Sequence, residues 1–475
     1  MTTVRTRFAP SPTGFLHVGG VRTALFAWLI AEQAKGKFIL RIEDTDKVRE
    51  VAGAEKHIQD SLKWVGIQWA ESTDVGGPFA PYKQSERLAL YKEWAEKLVA
   101  KGLAYADPYT PEQVNEFREA AKLAEKPFIF RDYRPENPPV WDGSQPLRLK
   151  STPKAYHWHD AVMGDLSAGE EVVDDFILMK SDGYPTYNFA HIVDDAQMKI
   201  THVIRSQEFI SSVPKYLNLY EALELPVPIM ATLPFVMAID GKKKLGKRDG
   251  AKDILDYARE GYLPEAMLNF LATLGWNDGT EQEIFSKNEL IEKFKIDRVQ
   301  KSGARFDEQR LLWMNGHYIR ELPLDDLYER VKDFWQPEAA DAADAYKKQV
   351  LGLVQERLKF FAELPLLTDF FFTDLPIKPE LINENKQLKK LSSTEIKELL
   401  VQTRAALTDS DFSASDLTER LNQLLETTGQ KPGTLFSLIR VATTQAPFSP
   451  GLADTLAVLG AETSLNRINS QLAAL

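Results

Sequence analysis

The chain has no cysteine. Disulfides and cysteine-based zinc sites are therefore excluded, although this absence alone does not set a compartment. No apolar run is long enough to span a bilayer; the stretch FFAELPLLTDFFF at 360–372 is broken by Glu363 and Asp369. The start, MTTVRTRFAPS, lacks the apolar segment of a secretory signal. Internal repeats and low-complexity tracts are missing. So are two common phosphate-loop patterns, GxxxxGK[ST] and GxGxxG. The expectation is a cytoplasmic globular protein with no membrane association, and any phosphate site must be of another kind.

What is present is substantial. At 475 residues the chain is too long for one ordinary domain, and 44% hydrophobic content is enough for real cores. The formal net charge of −11 argues against a broad basic footprint for nucleic acid. It leaves room for local patches, because affinity follows where the lysines and arginines sit.

The most informative stretch is 5–46, RTRFAPSPTGFLHVGGVRTALFAWLIAEQAKGKFILRIEDTD. A short strand carries Arg5 and Arg7. A turn on Pro10, Pro12 and Gly14 leads to His17, Gly19 and Gly20. Val21, Leu25, Trp28 and Leu29 have helical spacing. After Lys35-Gly36, Phe38–Ile42 reads as a second strand that ends in Glu43, Asp44 and Asp46. This is β–loop–α–β, the opening of a parallel nucleotide-binding sheet. Small residues at a helix start let a ligand lie against backbone, where amides and the helix dipole favour phosphate. His17 is placed to donate to a phosphate oxygen.

Further along, AEKHIQDSLKWVGIQW reads as an amphipathic helix running into a strand, and a long helix is expected from Ser85 to Lys101-Gly102. From about 106 to 190 proline becomes frequent, and PLRLK and EEVVDDFILMK read as strands, giving an inserted α+β module. His157 and His159 share one face of a strand-like stretch, an ordinary surface pair rather than a metal site. MKITHVIR is a strand ending in Arg205. In an open α/β sheet ligands bind outside the carboxyl ends of strands. Arg7, Glu43 and Arg205 lie at three such ends, either as an amino-acid pocket or as a surface ion-pair set. KKKLGKRDGA clusters Lys244, Lys247 and Arg248 among glycines. Residues 323–475 are helical by their i, i+3, i+4 apolar spacing.

Several strings together carry a resemblance. PSPTGFLHVGG resembles the HIGH signature of class I aminoacyl-tRNA synthetases, and LRIEDTD resembles its continuation in glutamyl-tRNA synthetases of bacterial type. KLGKRDGA resembles the KMSKS loop, with Gly246 where the family usually has Ser; Gly20 stands where the broader class often has His. DVGGPFAPYKQSERLALY, DGYPTYNFAHIVDDAQMKITHVIRSQEF and FDEQRLLWMNGHYIREL are also similar to that family.

The resemblance implies a Rossmann-type catalytic domain in two halves, 1–105 and 191–240, around an acceptor-end-binding insertion at 106–190. A KMSKS loop and stem-contact helical region at 241–322 and an all-α anticodon-binding domain at 323–475 would follow. The implied reaction is ATP-dependent attachment of L-glutamate to tRNA(Glu) by a monomer, with ATP as its magnesium complex and no zinc; charging of tRNA(Gln) stays open. His17, Gly19, Gly20, Lys244, Lys247 and Arg248 would hold ATP, with His17, Lys244 and Lys247 acting in catalysis. Glutamate would lie among Arg7, Ser11, Glu43, Tyr187, Asn188, His191 and Arg205. Arg7 would take the side-chain carboxylate, Arg205 the other and Glu43 the ammonium; the two arginines are interchangeable in this scheme. Arg357 resembles an arginine that members selective for tRNA(Glu) use against the wrong anticodon.

Overall fold

The computed structural model describes residues 3–246 and 252–475. The chain folds as two compact units, Met1–Ala258 with Pro264–Glu308, and Arg259–Leu263 with Gln309–Leu475.

The first unit is built on a six-stranded sheet. β1 (Arg5–Phe8) feeds α1 (Val18–Gln33), which returns to β2 (Lys37–Leu40). The sheet order is Lys37–Leu40, Arg5–Phe8, His202–Ser206, Ile229–Leu233, Tyr156–Asp160, Gly164–Ala168. All neighbours are parallel except the last pair. Phe8, Phe38, Ile39 and Leu40 are all buried, so the strands are apolar without alternation, as expected for a parallel sheet covered on both faces. α1 packs with Val21, Leu25, Trp28 and Leu29 buried, and Thr6 in β1 donates to the Ala27 carbonyl at 2.7 Å.

The stretch 106–190 is divided between two sheets. Ala104–Ala106, Leu147–Leu149 and Ile177–Met179 form a separate antiparallel sheet. Tyr156–Asp160 and Gly164–Ala168 instead join the main sheet as its edge hairpin. Buried Asp160 fixes this edge by accepting from the Thr232 hydroxyl at 2.6 Å and amide at 3.0 Å. His157 and His159 are exposed, and His159 pairs with Asp165.

Three local expectations are corrected. The helix expected from Ser85 starts at Leu88 after a 3₁₀ turn, Gln84–Glu86. Asp44 takes the Ser85 amide at 2.8 Å, and Arg87 turns inward to Asp194. Residues 67–70 form no strand; Ala70 N–H only touches the β2 edge at Phe38 O. EEVVDDFILMK is a strand only at Ile177–Met179, because Asp174 caps the Phe130 and Arg131 amides and Asp175 pairs with Arg134.

The second unit is helical. Ser393–Thr408, Ala414–Thr428, Pro432–Thr444 and Leu452–Ala473 bury Leu400, Leu417, Leu435, Leu438, Leu456 and Ile468 together. Ser392 and Glu395 form a capping box at the first of these helices.

Candidate active site

A cavity of about 330 Å³ opens at the carboxyl ends of β1, His202–Ser206 and Ile229–Leu233. Its wall brings together Arg7, Ser11, His17, Gly19, Gly20, Tyr187, Arg205 and Lys244 from the sequence expectation. Glu43, Asn188 and His191 are not part of its wall. Lys247 and Arg248 fall outside the described residues. Arg357 belongs to the second unit, exposed on a 3₁₀ turn rather than a helix, where its charge helps lower the pKa of Arg440, itself chiefly lowered by burial.

One end of the cavity suits phosphate. His17 is the extended N-cap of α1, and the first helical bonds run from Gly20 and Val21 N–H to its carbonyl. The amides of Val18 and Gly19 precede that ladder. A Cβ on Gly19 would meet the His17 ring only at 3.6 Å, so packing does not demand glycine there. A Cβ on Gly20 would meet Leu16 Cδ1 at 2.5 Å, so a side chain there requires the Leu16 methyl to move. Lys244 reaches the cavity across the face of Phe235 and pairs loosely with Glu208 at 3.3 Å.

The other end is cationic and rigid. Arg7 donates through Nε to Asp195 at 3.1 Å and through Nη1 to the Ile204 carbonyl at 3.2 Å. Fully buried Arg41 joins Glu43 at 2.8 Å to Asp195 at 2.8 Å. Burial raises the Glu43 pKa, opposed by Arg41 and then Arg7, while burial opposes but Arg7 and Arg41 outweigh it at Asp195, whose pKa falls. Asp194 is held by Arg87, Tyr91 and Gln84 at 2.8–3.0 Å.

Arg205 lies across the faces of Phe209 and Tyr216, with its buried Nε lacking a partner. Its Nη1 donates to His191 Nε2 at 3.3 Å. A guanidinium cannot accept, so His191 Nε2 is the acceptor and Nδ1–H donates to Tyr187 O at 3.1 Å. Burial first, and Arg205 second, push the His191 pKa far down, which keeps the ring neutral. His191 thus braces Arg205 from behind. Asn188 accepts from the Tyr216 hydroxyl at 3.2 Å.

Sequence reading missed Arg22, Arg41, Asp194 and Asp195. Their signal was a charge inside an otherwise apolar segment, as in Leu40-Arg41-Ile42. Arg22 lines the cavity, donates to Pro234 O at 2.8 Å and keeps Nε and Nη2 without partners; burial lowers its pKa to about 10. Among the described residues no cluster of three or more His, Asp or Glu could hold a metal ion.

The chain matches a model of the class I tRNA synthetase catalytic domain of the E and Q type over residues 3–313, and an anticodon-binding domain over 326–472. It is 40% identical to a glutamate–tRNA ligase of Dehalococcoides mccartyi over 99% of this chain and 98% of that protein. It is 41% identical, with the same coverages, to the glutamate–tRNA ligase of Chloroflexus aurantiacus. The crystal structure of a glutamate tRNA ligase from Elizabethkingia meningosepticum, in complex with its amino acid, superimposes with a TM-score of 0.92 at 33% identity, covering 100% of both chains. A Rossmann-type catalytic unit, a helical second unit and kinship over the full length place this chain in the glutamate–tRNA ligase family of class I aminoacyl-tRNA synthetases.

Proposed function

We propose that the chain joins L-glutamate to tRNA(Glu) in two steps at this cavity. The observation that carries the reading is the pairing, in one cavity, of Arg7 and Arg205 with a glycine-rich helix start flanked by His17 and Lys244. The first nucleophile is the α-carboxylate of glutamate, ionised at pH 7, so no protein base is needed. It attacks the α-phosphorus of ATP, supplied as its magnesium complex; glutamyl-adenylate forms and pyrophosphate leaves. The protein's tasks are alignment and stabilisation of developing charge. His17 and the 18–19 amides hold phosphate. Lys244 acts on the departing pyrophosphate, where a contact that strengthens with charge raises turnover rather than binding alone. Arg7 and Arg205 hold the two carboxylates of glutamate, and Glu43, fixed by Arg41, receives its ammonium. Glutamine would present an NH₂ donor to a fork of donors and is rejected. In the second step the 2′-hydroxyl of the terminal adenosine attacks the adenylate and AMP leaves.

The reading includes a monomeric cytoplasmic enzyme without zinc, whose 106–190 insertion meets the acceptor end and whose 323–475 helices meet the anticodon. Arg357, exposed beside Arg440, is the residue we assign to anticodon discrimination. The test is charging of purified tRNA(Glu) and tRNA(Gln) with labelled glutamate, with and without ATP. ATP-dependent charging of tRNA(Glu) alone is expected. Charging of tRNA(Gln) too would remove the Arg357 assignment, and failure with both would remove the reading.

A further inference from the structure

Three segments close a polar ring beside the phosphate end of the cavity. His57, on the helix Ala54–Trp64, stacks on Phe15 with ring centroids 4.5 Å apart. Its Nδ1 accepts the Leu16 amide at 3.3 Å. Its Nε2 meets both carboxylate oxygens of Asp253, at 2.7 and 2.8 Å. Ile254 N–H returns to the Leu16 carbonyl at 3.1 Å, and a β-bridge joins His17 to Asp253. Ser61 Oγ lies 3.3 Å from Nδ1, but its proton is committed to the His57 carbonyl at 2.6 Å. Nδ1 is therefore the acceptor and Nε2 carries the proton, which one neutral tautomer satisfies at both ends.

We propose that His57 and Asp253 are positioning residues for adenylate formation. The ring pins both polar groups of Leu16, the residue before the His17 N-cap. It therefore sets the backbone from which His17 and the first amides of α1 face the phosphate. The segment at 253–254 also meets the turn directly, through Ile254 N–H to Leu16 O and the His17–Asp253 bridge, and the His57–Asp253 pair adds the helix Ala54–Trp64 as the third support of that turn. The proposal rests on the reading of the His17 turn as the phosphate seat.

The test is ATP–pyrophosphate exchange by the full chain, with glutamate and tRNA present, at varied ATP. His57→Ala should lower kcat about tenfold, since small misplacements of a reacting group are costly. The KM for glutamate should stay within about twofold, because the far end of the cavity is untouched. His57→Asn keeps an acceptor near the Nδ1 position and His57→Gln a donor near the Nε2 position; each should recover part of the loss. Adding Asp253→Ala to His57→Ala should cost little more, as for groups acting as one unit. Wild-type kcat in His57→Ala, equal losses in all three His57 variants, or full additivity with Asp253→Ala would overturn the proposal. His17→Ala separates the two levels. If it leaves ATP kinetics unchanged, the phosphate seat itself falls and the proposal with it. If it cripples them while the His57 variants do not, only the positioning role falls.

Discussion

The two units bury different chemistry. Among the described residues, every buried carboxylate and guanidinium lies at or before residue 195, within the catalytic unit. In the helical unit the buried polar side chains are hydroxyls and amides. Thr368, Thr403 and Thr443 each donate to the carbonyl four residues back at 2.7–2.8 Å. Burying ions is expensive, and replacing a buried ion pair by apolar groups often stabilises a protein. The helical unit shows that this chain builds a core without such charges. Of the Arg7–Asp195–Arg41–Glu43 chain, Arg7 alone lines the cavity, and the other three hold it and one another from within the core. Under the proposed function, this network fixes the partners of a ligand that carries two carboxylates and an ammonium.

The comparison breaks most sharply at Arg7. Arg7→Ala should reduce glutamate activation at least about 10²-fold, as for loss of a charge-assisted contact in a water-poor site. Pyrophosphate exchange at saturating ATP measures it, and unchanged activation would remove Arg7 from the pocket. Because Arg7 also neutralises Asp195, the variant should lose stability too, which separates it from a purely external binding residue.

Next come two core substitutions of similar size but different consequence. Arg41→Met leaves Glu43 and Asp195 short of a partner and should cost about 3–5 kcal/mol. Leu438→Ala, at a fully buried position in the helical unit, should cost about 2–5 kcal/mol by cavity formation. Hydrogen exchange reads the units separately. Arg41→Met should lower protection of β1 and β2 amides and raise the KM for glutamate. Leu438→Ala should lower protection in Pro432–Thr444 and leave glutamate activation alone. Equal loss of activation in both would erase the distinction.

What the sequence makes legible follows the same division. The β1–α1–β2 opening and the helical 323–475 region come from periodicity, because their interiors are apolar and an apolar period has one reading. Arg7, Ser11, His17, Gly19, Tyr187, Arg205 and Lys244 are expected from the sequence and line one cavity: Arg7 and Arg205 lie at strand ends, and His17, Gly19 and Tyr187 at helix starts. Glu43 and His191 are expected as direct contacts, but Glu43 is engaged by its near neighbour Arg41, which is itself held by Asp195 from 154 residues away, and His191 is turned to Arg205 on the next strand. The partition of 106–190 between two sheets is not readable either: Tyr156–Asp160 shows the same alternation whether it edges a small sheet or the main one. What decides that is pairing with a strand some 70 residues on, where Asp160 takes the Thr232 hydroxyl and amide and Ala161 N–H bonds Met230 O.

The smallest effect sharpens the comparison through pH. His191 is buried neutral, with its pKa in the folded state far below that of an exposed histidine. A folded pKa lower than the unfolded one means that the unfolded chain binds the extra proton first as pH falls. The stability contributed by the neutral ring is thus fully present above about pH 6.5 and is lost progressively below it, at up to about 1.4 kcal/mol per pH unit. His191→Asn removes that proton uptake while keeping a polar group behind Arg205. Denaturation of the variant between pH 7 and 5 should show a shallower fall in stability of the catalytic unit than the parent. The helical unit's only histidine is His317. The variant should leave that unit's pH dependence unchanged, and an identical slope in parent and variant would show that the ring behind Arg205 takes up its proton without unfolding.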